Sequence, residues 1–214
     1  VKSKFMCEKL AEQGIVAFMF DFYDKPNGLS ELSIENTSVS LQLRVLRVAI
    51  DYVCGLSFVD VNRIGLTGHS LGGMTVLLYT STDSRVKALV VQSALSDFKE
   101  KTLSNTWGDL SAWKKQRYKL FDRCWGGMRV NYTFVEDGLK HDVYSTARNI
   151  KCPVLVFHGD KDTSVPLEQS EKLMKSLKRT DEFVVLRGAG HTYKESGMNE
   201  KATELFVRFM KKHI

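Results

Sequence analysis

The sequence predicts an α/β fold, a mostly parallel sheet with helices on both faces and an inserted cap. Three observations carry that reading. Short, continuous apolar runs alternate with segments of helical periodicity in residues 1–94 and again in 152–214. Turn residues, often glycine, close those runs. From about Leu95 to Lys151 the alternation stops, and aromatics, Lys and Arg dominate.

Residues 3–13 predict a helix closed by Gly14, since glycine readily takes the left-handed cap conformation. "IVAFMFDF" (15–22) then predicts a buried strand, because the apolar run is short, continuous and bounded by turn residues. Val39, Leu43, Leu46, Ile50 and Val53 recur at four- and three-residue steps, the spacing of one helix face. "RIGLTG" (63–68) is a second strand, followed by a helix over 71–81. "VKALVVQSA" (86–94), "PVLVFHG" (153–159) and "EFVVLRG" (182–188) predict three more strands, with helices at about 168–178 and 199–212 after the last two. A loop as long as 95–151 without structure of its own is unusual, so that segment is expected to be a cap of short helices with a small hairpin.

The 214 residues suffice for one sizeable hydrophobic core. With 43% hydrophobic and 26% charged residues, the composition is that of a soluble globular protein rather than a disordered one. Apolar runs such as Ile15 to Phe20 are too short to cross a bilayer, and no secretory signal is visible. Cys7, Cys54, Cys124 and Cys152 are scattered, without C-x-x-C, which fits free thiols in a reducing, cytoplasmic compartment. The net charge is +6, and the densest basic patch is Lys114, Lys115, Arg117, Lys119 and Arg123, interleaved with Trp113, Tyr118 and Phe121. No nucleic-acid signature accompanies that patch, which reads as a solvated helix face over apolar packing. Neither a nucleic-acid nor a membrane partner is expected.

In "IGLTGHSLGGMTVLLY", Gly68-His69-Ser70-Leu71-Gly72 fits G-x-S-x-G. Chance supplies that pattern in roughly one chain in ten of this length, so its context has to decide. Ligands of an open parallel sheet collect beyond the carboxyl ends of the strands. Ser70, then Asp160 and Asp162, then His191 all follow predicted strand ends. A serine hydroxyl becomes a nucleophile when a base takes its proton, and that base needs a carboxylate to fix its tautomer. The chain order Ser, Asp, His is the order used by α/β-hydrolases.

The chain resembles an α/β-hydrolase, and especially the cinnamoyl (feruloyl) esterases and the related prolyl-oligopeptidase-like serine hydrolases. "GHSLGG", "HGDKDTSVP" and "GAGHTY" match that family's three site motifs, and "LAEQGIVAFMFDFY" resembles its early helix-strand unit. The resemblance implies Ser70 as nucleophile, Asp162 as acid and His191 as base. Its pattern G-x-x-D-x-x-V-P fits Gly159, Asp162, Val165 and Pro166, which selects Asp162 and leaves Asp160 as a turn former. Asp97, after the strand at 86–94, is a third possible acid.

Leu71 should give its backbone N–H to the developing oxyanion, and Gly68, Gly72 and Gly73 should give strand and helix room to approach. The second oxyanion donor of the family lies in a loop after an earlier strand and is expected upstream of Val1. That missing strand would stand between those at 15–22 and 63–68, so the chain is expected to be a piece of a longer protein. In "DFYDKPNGLSE" the family's compact Gly-His-Gly-x-Ser turn is lengthened by Asp24-Lys25-Pro26-Asn27.

His69, beside the nucleophile, is expected to pack or line the pocket, as are Trp113 and Trp125 among the aromatics of the cap; the cap's own small core is the competing expectation for those aromatics. His158 should bond to the backbone of the acid loop, and His141 and His213 should lie at the surface. No metal site and no cofactor are expected. The reading is an esterase cleaving carboxylic esters of small molecules, aromatic (hydroxycinnamate-like) or short-acyl, through an acyl-enzyme. A prolyl-oligopeptidase-like peptidase and a non-catalytic hydrolase-fold binding protein are the alternatives.

Overall fold

The computed structural model describes residues 2–24, 30–104, 106–121, 127–177 and 182–214, and in it four of the five expected strands form one parallel sheet. In chain order the elements begin with α1 (Lys2–Ala11), a 3-10 turn (Ile34–Asn36), α2 (Val39–Cys54), β1 (Ile64–His69), α3 (Leu71–Thr80) and β2 (Val86–Gln92). Next come α4 (Phe98–Leu103), α5 (Leu110–Gln116), β3 (Tyr118–Phe121), β4 (Met128–Asn131), α6 (Thr133–Gly138) and α7 (Val143–Ala147). The chain closes with β5 (Val154–Gly159), α8 (Leu167–Ser176), β6 (Glu182–Leu186) and α9 (Met198–His213).

By compactness the chain divides into two units. One comprises residues 1–18, 51–96 and 143–214, the other 19–50 and 97–142. This differs from a division in sequence order, because residues 19–50 pack with 97–142. Asp137 accepts the backbone N–H and the hydroxyl of Ser40 at 2.8 and 2.7 Å, and β4 lies against the 3-10 turn.

The first unit holds the sheet, with strand order β1-β2-β5-β6 and all neighbours parallel. Alternate residues of a strand face opposite sides, and the packing follows that period. Ala88 and Val90 of β2 join Leu155 and Phe157 of β5 in one cluster with Phe206, Phe209 and Met210 of α9 and Met6 and Leu10 of α1. Leu89, Val91, Val154 and Val156, at the intervening positions, are equally buried outside that cluster. Helix α3 packs on β1 and β2, α8 on β5, and α7 on both helices. Residues Gly73 to Thr80 of α3 are all buried, which is why that helix is apolar round its whole circumference. Among the described residues no helix is long and apolar enough to cross a membrane.

The predicted strand at 15–22 is not formed. Gly14, at φ +75°, closes α1, and the Ile15 N–H bonds back to the Leu10 carbonyl at 3.1 Å, as a left-handed cap requires. Residues 15–20 carry no regular secondary structure, and Val16 and Phe18 remain exposed. A strand exists only by pairing, and the pairing of β1 among the described residues is with β2.

The second unit carries α4, α5, α6 and the antiparallel β3–β4 hairpin, the short helices and hairpin expected of that stretch. Its core is aromatic. Trp113, only 2% exposed, donates Nε1–H to the Val130 carbonyl at 3.1 Å and meets Phe121, Tyr132 and Phe134 at ring distances of 5.4 to 6.5 Å.

Candidate active site

Strand β1 runs directly into Ser70, which stands at φ 55°, ψ −121° before the first turn of α3. That backbone is unfavourable for a residue with a Cβ, and its neighbours hold it there. The Ser70 N–H donates to the Gln92 carbonyl at 3.0 Å, and its own carbonyl accepts from Leu95 N–H at 3.0 Å and Met74 N–H at 3.2 Å. The side chain makes no cap bond to α3, so Oγ is not spent on the helix it opens. Leu71 is the first residue of α3, where a backbone N–H has no intrahelical acceptor.

Two glycines make this turn possible. A Cβ on Gly68 would lie 2.3 Å from the Gly72 carbonyl oxygen, and one on Gly73 would lie 2.6 Å from Ala94 Cβ. Gly72, expected to give room as well, does not: a Cβ there would meet nothing within 4 Å. It is the backbone of Gly72, not its missing side chain, that Gly68 approaches.

Asp162 follows β5 by one turn, its N–H bonded to the Gly159 carbonyl at 3.2 Å. Its side chain is fully buried. Oδ1 accepts the backbone N–H groups of Ser164 and Val165 at 2.8 and 2.9 Å, and Oδ2 lies 2.7 Å from His191 Nδ1. Burial alone would raise the pKa of this carboxyl. The bonds from His158, His191 and the Val165 N–H outweigh it and hold Asp162 well below the usual carboxylate range. Because Oδ2 only accepts, the proton shared with His191 sits on Nδ1.

Of the two competing aspartates, then, Asp162 meets the histidine. Asp160 Oδ1 accepts the Gly188 N–H at 2.6 Å, which ties the acid loop to the loop carrying His191 rather than capping its own turn. Asp97 accepts the Glu100 N–H at 2.8 Å as the N-cap of α4.

His191 lies in the loop after β6 and is partly accessible, with 19% of its side chain exposed. Its carbonyl accepts from His69 Nε2 at 2.7 Å, and the two rings stand 4.6 Å apart. His69, beside Ser70, is thus in contact with the loop that carries His191. Tyr193 anchors the other side of that loop. It has φ 52°, is 1% exposed, and its hydroxyl lies 2.8 Å from Ser93 Oγ and 3.4 Å from the Phe157 carbonyl. Sequence reasoning missed this residue, although "GHTY" places a tyrosine two positions after His191.

His158 is fully buried, and its Nε2 lies 3.0 Å from the Val165 carbonyl, the expected bond to the acid loop. The same Nε2 also lies 3.2 Å from Asp162 Oδ2, a contact the sequence did not suggest. His141, expected at the surface, is instead half-buried, with Nε2 3.2 Å from Ser40 Oγ and 3.6 Å from Asp137. Trp113 stands in the core of the second unit, as described above, and Trp125 lies outside the described residues. Among the described residues no group of three or more His, Cys, Asp or Glu side chains could hold a metal ion.

Comparison with known proteins adds to this geometry. A family model described as the prolyl oligopeptidase family matches residues 46–214. An uncharacterized peptidase, YuxL of Bacillus subtilis, is 25% identical over 65% of this chain, which spans only 20% of the length of that relative. The mouse mitochondrial palmitoyl-protein thioesterase ABHD10 is 27% identical over 61% of the chain and 46% of its own length. Among solved structures, Est1E from Butyrivibrio proteoclasticus with ferulic acid bound superposes with a TM-score of 0.78 and 27% identity, over 97% of this chain and 81% of that one.

Proposed function

The chain belongs to the prolyl oligopeptidase family and has an α/β-hydrolase fold, and on that premise we propose that it cleaves carboxylic esters through a serine acyl-enzyme. The observation that carries this reading is the pairing of His191 Nδ1 with a buried, ionised Asp162 at 2.7 Å, in a loop bonded to the residue next to a strained Ser70. His191 Nε2 takes the proton of Ser70 Oγ as the oxygen attacks the ester carbonyl. The backbone N–H of Leu71 donates to the oxyanion, a bond worth about 3 kcal/mol of barrier where such donors have been removed. Collapse of the tetrahedral species expels the alcohol with a proton from His191. Water, deprotonated by the same imidazole, then releases the acid.

We assign the acyl group to the aromatic, hydroxycinnamate-like or short-acyl class. The likeness to the ferulic-acid complex supports the first, and likeness to a thioesterase supports an ester rather than an amide. The family's name and the similar Bacillus peptidase favour a second reading, hydrolysis of peptidyl amides.

Purified protein assayed with p-nitrophenyl acetate, methyl ferulate and aminoacyl p-nitroanilides separates these readings. Ester turnover that falls by about 10⁶ in Ser70→Ala is the expected result. Faster turnover of the anilides would move the substrate to peptides. A folded protein that neither turns over any of them nor labels at Ser70 with a fluorophosphonate would be a binding module.

A further inference from the structure

The geometry points to His158 as a positioning residue that holds the Asp162 carboxylate in the orientation His191 requires, an assignment that rests on the hydrolase reading above. Asp162 Oδ2 has an imidazole on each side: His191 Nδ1 at 2.7 Å and His158 Nε2 at 3.2 Å. The two histidines differ completely in access. His191 is partly exposed, whereas the His158 side chain is fully buried.

Its tautomer follows from its neighbours. Nε2 faces the Val165 carbonyl at 3.0 Å and the ionised Oδ2, both of which only accept, so Nε2 carries a proton. Nδ1 lies 2.7 Å from Ser170 Oγ, whose hydroxyl can donate to it. Ser170, on α8, is itself fully buried. The chain Ser170–His158–Asp162–His191 therefore runs from the buried face of α8 to the base. Without the N–H of His158, the Val165 carbonyl and one side of Oδ2 lose a buried donor. The carboxylate is then held in place only from Oδ1 and by the base it is meant to orient. A misplacement of about 1 Å near the reacting groups can cost about 10²-fold in rate.

Three variants test this. His158→Gln keeps an N–H near the position of Nε2, His158→Asn keeps only the end facing Ser170, and Ser170→Ala removes the partner of Nδ1. Per folded molecule, His158→Asn should lower kcat on p-nitrophenyl acetate about 10²-fold with KM within about twofold, and His158→Gln should recover to within about tenfold of wild type. A fast His158→Asn enzyme, equal losses in both variants, or a change confined to KM would overturn the assignment. If His158→Asn does not fold, Ser170→Ala decides: kcat should fall several-fold at constant KM, and wild-type kcat would overturn it. A wild-type protein that neither hydrolyses esters nor labels at Ser70 fails at the earlier step and removes the hydrolase reading instead.

Discussion

Asp162 Oδ2 stands 2.7 Å from His191 Nδ1 while Oδ1 is held by the N–H groups of Ser164 and Val165, so both carboxylate oxygens are committed in a fully buried side chain. A carboxylate so placed is a source of stability as well as of orientation. It also explains why a charge can persist there: the donors replace the water it has lost.

The first prediction concerns pH. The folded-state pKa of Asp162 lies below its unfolded value, so its contribution to stability is present above the unfolded pKa of about 3.9. That contribution is lost as the pH falls through the lower folded value. Urea unfolding from pH 7 down to pH 3 should therefore show a steeper decline below about pH 5 in wild type than in Asp162→Asn. The other depressed carboxyls, Asp83 and Asp137, are common to both proteins and cancel. Parallel curves would mean that Asp162 is not ionised in the fold. The same variant should lose about 10⁴-fold in kcat, since the amide favours the wrong imidazole tautomer.

The elbow glycines should separate sharply. A methyl on Gly68 would collide with backbone at 2.3 Å, and backbone cannot rotate away as a side-chain tip can. Gly68→Ala should therefore cost several kcal/mol, on the order of 3, or prevent folding. Gly72 is helical with open space at its Cβ, and Gly72→Ala should add about 0.5–1 kcal/mol by helix propensity. Denaturant midpoints of the two variants check the contrast, and similar losses in both would disprove the packing argument.

Ser70 carries a cost of its own. With φ 55° and ψ −121° it lies outside the region that side chains tolerate, a strain of about 1–3 kcal/mol. Ser70→Gly should raise the melting temperature above that of Ser70→Ala, since only glycine relieves the backbone, while both abolish turnover. A glycine variant no more stable than the alanine variant would show that the turn is not strained.

What could be read in the sequence follows from the range of each interaction. The strands at β1, β2, β5 and β6 were legible because each is a short apolar run whose burial leaves a local pattern, and Ser70, Asp162 and His191 were legible because strand ends fix where they stand. Residues 15–22 have the same apolar pattern but form no strand, since pairing is a property of the sheet rather than of the run. The contact of His158 with Asp162 is compatible with their four-residue spacing but depends on how the loop turns. The bond from Tyr193 to Ser93 joins residues 100 positions apart and left no local signature. Ser40 with Asp137 is of the same kind, and it is one reason that compactness cuts the chain differently from sequence order.

The last prediction concerns His69, whose position beside Ser70 suits either contact with the proposed substrate or support of His191. In the structure its Nε2 faces the His191 carbonyl at 2.7 Å, and because a carbonyl only accepts, that nitrogen must be the protonated one. Its ring also meets Tyr193 edge-on at 6.1 Å, so it is packed against the base loop on two sides. Removing it frees the backbone of His191 without touching Asp162. His69→Ala should therefore lower kcat about 10- to 100-fold while KM changes by less than about threefold. His69→Gln, which can still donate to the carbonyl, should recover most of that loss. A variant with normal kcat and a raised KM would show instead that His69 spends its binding on the substrate, because an interaction lost equally from ground and transition states moves KM alone.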